Sequence, residues 1–120
     1  MVSIVDDDES VRAATQCLVR SLGYAVRTFA SAEEFLRSPY VSETACVIAD
    51  VQMRKMSGLD LQSRLRADGY DTPIIFITAF PEEKVRARAL EGGAVCFLSK
   101  PFDGQVLIDC LTTALAAESE

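Results

Sequence analysis

The chain has 120 residues and is 49% hydrophobic, which is enough to bury the core of one compact domain. Eighteen acidic and twelve basic residues give a net charge of −6, which argues against direct binding to nucleic acid or to an anionic membrane surface. No apolar run reaches the length of a membrane-spanning helix and no secretory leader is recognisable, so we expect a cytoplasmic protein.

The first part of the chain alternates between strand-like and helix-like segments. Val2–Val5 is apolar and predicts a strand, and the helical spacing that follows ends at Gly23, where a left-handed residue is expected. Residues 24–29 alternate in polarity, as a second strand does. Ser31 and Glu34 have the spacing of a capping box, so a second helix is predicted to begin there.

The same alternation continues to the end of the chain. Three more strands are predicted, at residues 45–50, 73–78 and 95–98. Each is followed by a helix-like segment; Pro81 is expected in the first turn of the fourth helix and Asp103 at the cap of the fifth. Five βα units with Val- and Ile-rich strands predict an α/β fold, in which helices cover both faces of a doubly wound parallel sheet.

Charged residues stand at the carboxyl ends of these strands, where parallel sheets place their chemistry. Asp6 and Asp7 follow the first strand, Asp50 ends the third, and Lys100 follows the fifth. Adjacent carboxylates repel each other unless a cation offsets their charge. The chain has no histidine, so an all-oxygen site for Mg²⁺, with Mn²⁺ as an alternative, is expected.

An aspartate at such a position can act as a nucleophile and carry an acyl phosphate, and Asp50 is the best placed of the acids. The hydroxyl of Thr78 and the ammonium of Lys100 would then contact the phosphoryl oxygens. Each residue alone has a plainer interpretation. The first acids could serve as an anionic helix start, Lys100 could be a surface lysine and Thr78 an ordinary strand residue.

Taken in order, the motifs resemble the receiver (CheY-like) domain of two-component response regulators over essentially the whole chain, residues 1–120. The motifs are the acidic segment at residues 5–9, Asp50-Val51-Gln52-Met53, Thr78-Ala79 and Lys100-Pro101-Phe102. The segments at residues 31–36 and 93–95 resemble receivers of the FixJ/NarL-type transcriptional regulators. The resemblance implies a flavodoxin-like (βα)5 fold with strand order 2-1-3-4-5, and it implies phosphorylation of Asp50 by a sensor histidine kinase.

The resemblance also assigns the surrounding residues. Mg²⁺ would be held by Asp6, Asp7, Asp50 and the backbone carbonyl of Gln52. The residues that contact phosphate or take part in switching would be Thr78, Ala79, Lys100 and Phe97, and the peptide bond before Pro101 would be cis. The resemblance also implies a C-terminal output domain that regulates transcription, and a stand-alone phosphorelay receiver is the alternative.

Two residues depart from the family pattern. Arg54 stands where proline is usual, so the loop after Asp50 is expected to be less restrained and more positive. Phe97 replaces the tyrosine found in many relatives and has no hydroxyl, so switching would depend on packing. Phosphorylation is expected to remodel the face of the fourth helix, fifth strand and fifth helix, with Val85 and Ala89 on or near it, and to promote a symmetric homodimer there.

The four cysteines are widely spaced, without a CxxC pair, and we expect buried thiols rather than zinc ligands or disulfides. Two other functions use the same fold elements. A phosphatase of the haloacid-dehalogenase type would carry a second acid two residues after the nucleophile, where this chain has Gln52. A flavodoxin-like FMN-binding module would need a first loop rich in Ser, Thr and Gly, but this loop is rich in Asp.

Overall fold

A computed structural model describes residues 1–100 and 102–118, apart from the side chains of residues 117 and 118. Five strands alternate with five helices along the chain. The strands are β1 Val2–Val5, β2 Val26–Phe29, β3 Cys46–Asp50, β4 Ile74–Thr78 and β5 Cys96–Ser99. The helices are α1 Glu9–Ser21, α2 Ala32–Arg37, α3 Gly58–Ala67, α4 Glu83–Glu91 and α5 Gly104–Glu118.

The strands form one parallel sheet in the order β2-β1-β3-β4-β5, which confirms the predicted topology. Neighbouring residues of a strand point to opposite faces, so β3 sends Val47 and Ala49 to one core and Cys46 and Ile48 to the other. The first core packs against α2, α3 and α4, and the second packs against α1 and α5. Burial on both faces is why most residues of the central strands are apolar.

Local hydrogen bonds explain where α2 and α3 begin, and one prediction about the start of α4 is wrong. The Ser31 hydroxyl accepts the Glu34 N–H at 3.1 Å, as predicted. At α3, Ser57 and Asp60 form a full capping box that the sequence analysis missed. The prediction that Pro81 lies in the first turn of α4 is wrong, because α4 begins at Glu83 after an N-cap, Glu82, that makes no side-chain capping bond.

The expectation of buried thiols is wrong for three of the four cysteines. Cys96 of β5 and Cys110 of α5 form a disulfide, with Cα atoms 6.2 Å apart. Cys46 is buried and outside the disulfide, as expected, whereas Cys17 is also outside the disulfide but exposed. The pairing could not be predicted from spacing because it depends on how α5 packs against the side chains of one face of β5.

The cis peptide bond predicted before Pro101 lies outside the residues that the structure describes. Within residues 1–100 and 102–118, no helix combines the length and the apolar character that crossing a membrane requires.

Candidate functional site

The carboxyl ends of β1 and β3 bring two acids together. Val5 is paired with Ala49 in the parallel register, so the next residues, Asp6 and Asp50, lie side by side. Both are buried, with Asp6 at 0% and Asp50 at 6% exposure. Gly58 fits beside them because the Asp50 carbonyl leaves no room there for a side chain.

Asp7 completes a group of three carboxylates. One carboxylate oxygen from each of Asp6, Asp7 and Asp50 lies within 4.8 Å of the other two. Asp7 is exposed, so this group opens to solvent on one side. A donor set made of oxygen atoms, partly buried and open to water, fits Mg²⁺ or Mn²⁺, which keep several water ligands.

Lys100 extends from the end of β5 across β4 to these acids. Its Nζ lies 3.0 Å from Asp50 Oδ2 and 3.5 Å from Asp6 Oδ2. Burial by itself would lower the pKa of Lys100, but the hydrogen bond to Asp50 and the charges of both acids outweigh it and raise this pKa above 10.5. Lys100 is therefore charged and partly neutralises the two acids.

Backbone amides hold the other carboxylate oxygens. Asp6 Oδ1 accepts the Asp8 N–H at 2.8 Å, and Asp50 Oδ1 accepts the Gln52 N–H at 3.0 Å. Burial raises the pKa of Asp6, and the negative charge of Asp50 raises it further. The hydrogen bond from the Asp8 amide and the interaction with Lys100 lower this pKa, but by less. A cation placed among the three acids would offset this cost of ionising Asp6.

Thr78 ends β4 and is fully buried. Its hydroxyl donates to the side-chain Oε1 of Gln52 and accepts the Phe80 N–H at 3.1 Å. Ala79, between them, is exposed. The sequence analysis assigned only the backbone carbonyl of Gln52 and missed its side chain, although its position two residues after Asp50 was a signal.

The loop after Asp50 is bonded to the site despite lacking proline. The Arg54 N–H donates to Asp7 Oδ2 at 3.3 Å, a contact that the sequence analysis missed. Lys55 follows with φ 64°, a left-handed conformation uncommon for a residue with a side chain. The sequence analysis also missed Arg12, whose Nη1 donates to the Asp6 carbonyl at 2.6 Å.

Three residues of the predicted switching face differ in how deeply they are buried. Phe97 is partly buried and packs against the core shared with α2, α3 and α4. Ala89 was expected on or near the surface, but it is fully buried because it faces the sheet. Val85, on the same helix, is partly buried.

A five-stranded parallel sheet with three acids and a lysine at its carboxyl edge is the arrangement of a receiver domain. Residues 2–112 match the response regulator receiver domain family, and the chain belongs to that family. This family consists of signalling receiver domains rather than classical enzymes.

Proteins similar to this chain include transcriptional regulators. The chain is 41% identical over 119 residues to transcriptional regulatory protein TdiR of Thauera aromatica, covering 99% of this chain and 52% of TdiR. It is 43% identical over 114 residues to nodulation protein W of Bradyrhizobium diazoefficiens, covering 95% and 50%. The chain thus spans about half the length of the curated relatives it matches.

Solved structures give the same result for the fold. The response regulator StyR aligns with a TM-score of 0.91 at 40% identity, over 98% of this chain and 60% of the StyR chain. The structure named FixJ-N aligns with a TM-score of 0.85 at 32% identity, over 96% and 92% of the two chains.

Proposed function

We propose that this domain is a phosphoacceptor and that Asp50 receives a phosphoryl group from the phosphohistidine of a sensor histidine kinase. The observation that carries the proposal is the position of the Asp50 carboxylate, which lies 3.0 Å from the Lys100 ammonium and clusters with two further acids. A carboxylate oxygen of Asp50 attacks phosphorus, the bond from phosphorus to the histidine nitrogen breaks, and an acyl phosphate forms on Asp50.

The surrounding residues would stabilise the transferred group. Asp6, Asp7, Asp50 and the Gln52 carbonyl would hold Mg²⁺, with Mn²⁺ as an alternative, and the bound ion supplies positive charge against the phosphoryl oxygens. Lys100 supplies a second positive charge beside Asp50. The absence of an acid at Gln52 argues against a phosphatase that uses a second carboxylate.

The experiment that tests this proposal is labelling with acetyl phosphate and Mg²⁺, followed by intact-mass measurement. We expect one added phosphoryl group in the wild type and none in Asp50→Asn. Asp71→Asn is the matched control, because Asp71 is exposed and precedes β4, at the opposite end of the strands. Undiminished labelling of Asp50→Asn would contradict the assignment.

We further propose that phosphorylation changes the face formed by α4, β5 and α5. Acyl phosphate adds about −1.5 to −2 charges and new acceptor oxygens. These attract Thr78 and Lys100, and the space that Thr78 leaves allows Phe97 to turn inward. A partial shift is expected, since moving a population from 1:99 to 99:1 needs about 5.5 kcal/mol.

A phosphorylation-promoted homodimer through this face is the expected consequence. Sedimentation velocity with and without beryllofluoride, which mimics the phosphoryl group, tests it. A monomer in both conditions at high protein concentration would exclude the dimer for this domain.

The proposed role in the cell is control of an attached output domain in the cytoplasm, with transcription as the output. Support comes from the named transcriptional relatives and from the half of their length that this chain does not match. The negative charge of the domain argues against its own contact with DNA. Determining the coding sequence that follows residue 120 separates this role from a stand-alone phosphorelay receiver.

A further inference from the structure

The hydroxyl of Thr78 has a single proton, and the structure shows where that proton goes. Thr78 Oγ1 donates to Gln52 Oε1, and the Phe80 N–H occupies the acceptor side of the same hydroxyl at 3.1 Å. Because a threonine hydroxyl can donate one hydrogen bond at a time, Thr78 cannot keep the bond to Gln52 and also donate to another acceptor.

The proposed function requires that same proton. A phosphoryl group on Asp50 would offer acceptor oxygens to Thr78, in competition with Gln52. Gln52 is attached to both parts of the site, since its N–H donates to Asp50 Oδ1 at 3.0 Å while its side chain accepts from Thr78.

We propose that the Gln52 side chain is a positioning residue that holds Thr78 in its unphosphorylated position and thereby sets how readily the domain enters its active state. This inference rests on the proposed phosphorylation of Asp50. When the Thr78 hydroxyl moves to another acceptor, the segment after it is drawn along, because the Phe80 N–H is bonded to that hydroxyl.

The segment that would move with Thr78 is weakly held elsewhere. Phe80 is 68% exposed, and the N-cap of α4, Glu82, makes no side-chain capping bond. The Gln52–Thr78 hydrogen bond therefore joins the phosphoacceptor segment to the start of α4. Its loss would favour displacement of this segment even before phosphorylation.

Three variants of Gln52 and its partner test the proposal, and all keep the Gln52 backbone carbonyl. Gln52→Met keeps the length of the side chain but removes the amide acceptor, and Gln52→Asn keeps the amide but shortens its reach. Thr78→Val removes the hydroxyl with little change of shape. Gln52 is exposed, so its replacement leaves the core intact.

The measurement is the apparent affinity for beryllofluoride in saturating Mg²⁺, followed by NMR of the Phe80 amide. We expect Gln52→Met and Gln52→Asn to bind about threefold to tenfold more tightly than wild type, the range of one hydrogen bond of ordinary strength. Gln16→Met on α1, outside the face of α4, β5 and α5, is the control and should match the wild type.

A double-mutant cycle separates this role from a general effect of the substitution. In the Thr78→Val background, Gln52→Met should change beryllofluoride affinity by less than twofold, since no hydroxyl proton remains to be held. Equal tightening in both backgrounds, or no tightening of Gln52→Met in the wild-type background, would overturn the inference. Failure of acetyl phosphate to label wild-type Asp50 would instead overturn the proposed function.

Discussion

The carboxyl edge of β1 and β3 is held much more firmly than the flank formed by α4 and β5. Every residue of β1 and β3 is buried, and backbone amides fix the acids at their ends. Each residue of β5 is at least partly exposed, and in α4, all of whose residues the structure describes, Ala89 alone is buried.

The two ends of α4 also differ. Its C-terminal end is bonded to α3, where Gln62 Nε2 donates to the Ala89 carbonyl at 2.9 Å and Arg66 Nε donates to the Gly92 carbonyl at 3.1 Å. Its N-terminal end lacks a side-chain cap. A rigid edge suits chemistry that needs fixed geometry, and a flank of low local stability suits the part that must move.

The largest expected effect is at the rigid edge. Replacing Asp6 and Asp7 together by Asn should weaken Mg²⁺ binding by roughly 100-fold or more and reduce phosphorylation in parallel, because two of the three clustered carboxylates are lost. Isothermal titration with Mg²⁺ and acetyl phosphate labelling measure the two quantities. Normal Mg²⁺ titration in this double variant would contradict the metal assignment.

Core truncation should show the same contrast in stability. Ile48→Ala in β3 should lower the free energy of unfolding by about 2–5 kcal/mol, since Ile48 is fully buried. Leu90→Ala on α4 should change it by about 0.5 kcal/mol or less, because Leu90 is 39% exposed. Urea denaturation compares them, and equal losses would show that the flank is as firmly packed as the edge.

The disulfide restrains the more loosely held flank by joining β5 to α5. Reducing Cys96–Cys110, which closes a loop with a sequence separation of 14, should lower the free energy of unfolding by about 3 kcal/mol. Thermal unfolding with and without dithiothreitol measures this loss. The Cys96→Ser/Cys110→Ser variant should show no such dependence, while Cys17→Ser should behave as the wild type; a reductant-insensitive wild type would refute the prediction.

The smallest effect concerns the charge of Lys100. Its pKa is raised in the folded state, so the stabilisation from its pairing with Asp50 and Asp6 is fully present below about pH 10.5 and is lost as the pH rises through the folded pKa. The stability difference between wild type and Lys100→Met should therefore shrink above pH 10.5. Urea denaturation of the metal-free proteins, repeated about every half pH unit between pH 8 and 11.5, measures this stability difference. A difference that stays constant over this range would contradict the pairing.

Much of the fold was predictable because its signals are local. The apolar runs, the capping residue Ser31 and the glycine at Gly23 indicated five βα units, and the structure has them with boundaries shifted by one or two residues at several ends. The failure at Pro81 is also local, since proline fits equally well just before a helix and in its first turn.

The candidate site was only partly predictable for a different reason. The sequence was sufficient to group Asp6, Asp50 and Lys100, because parallel strands place their carboxyl ends at one edge of the sheet. This holds for any set of core side chains. Other features depend on local backbone conformation, rotamers and helix rotation, which no spacing rule specifies. They are the hydrogen bond that the Gln52 side chain accepts from Thr78, the hydrogen bond from the Arg54 N–H to Asp7, and the burial of Ala89.

The sequence by itself therefore determined the order of elements, the acids and lysine at their ends, and the class of chemistry, because periodicity and strand direction act over short stretches of chain. Other pairings between distant groups were decided by the tertiary structure alone. Cys96 meets Cys110, and the Thr78 proton reaches Gln52 across 26 positions of sequence, because sheet register and helix packing bring those atoms within bonding distance.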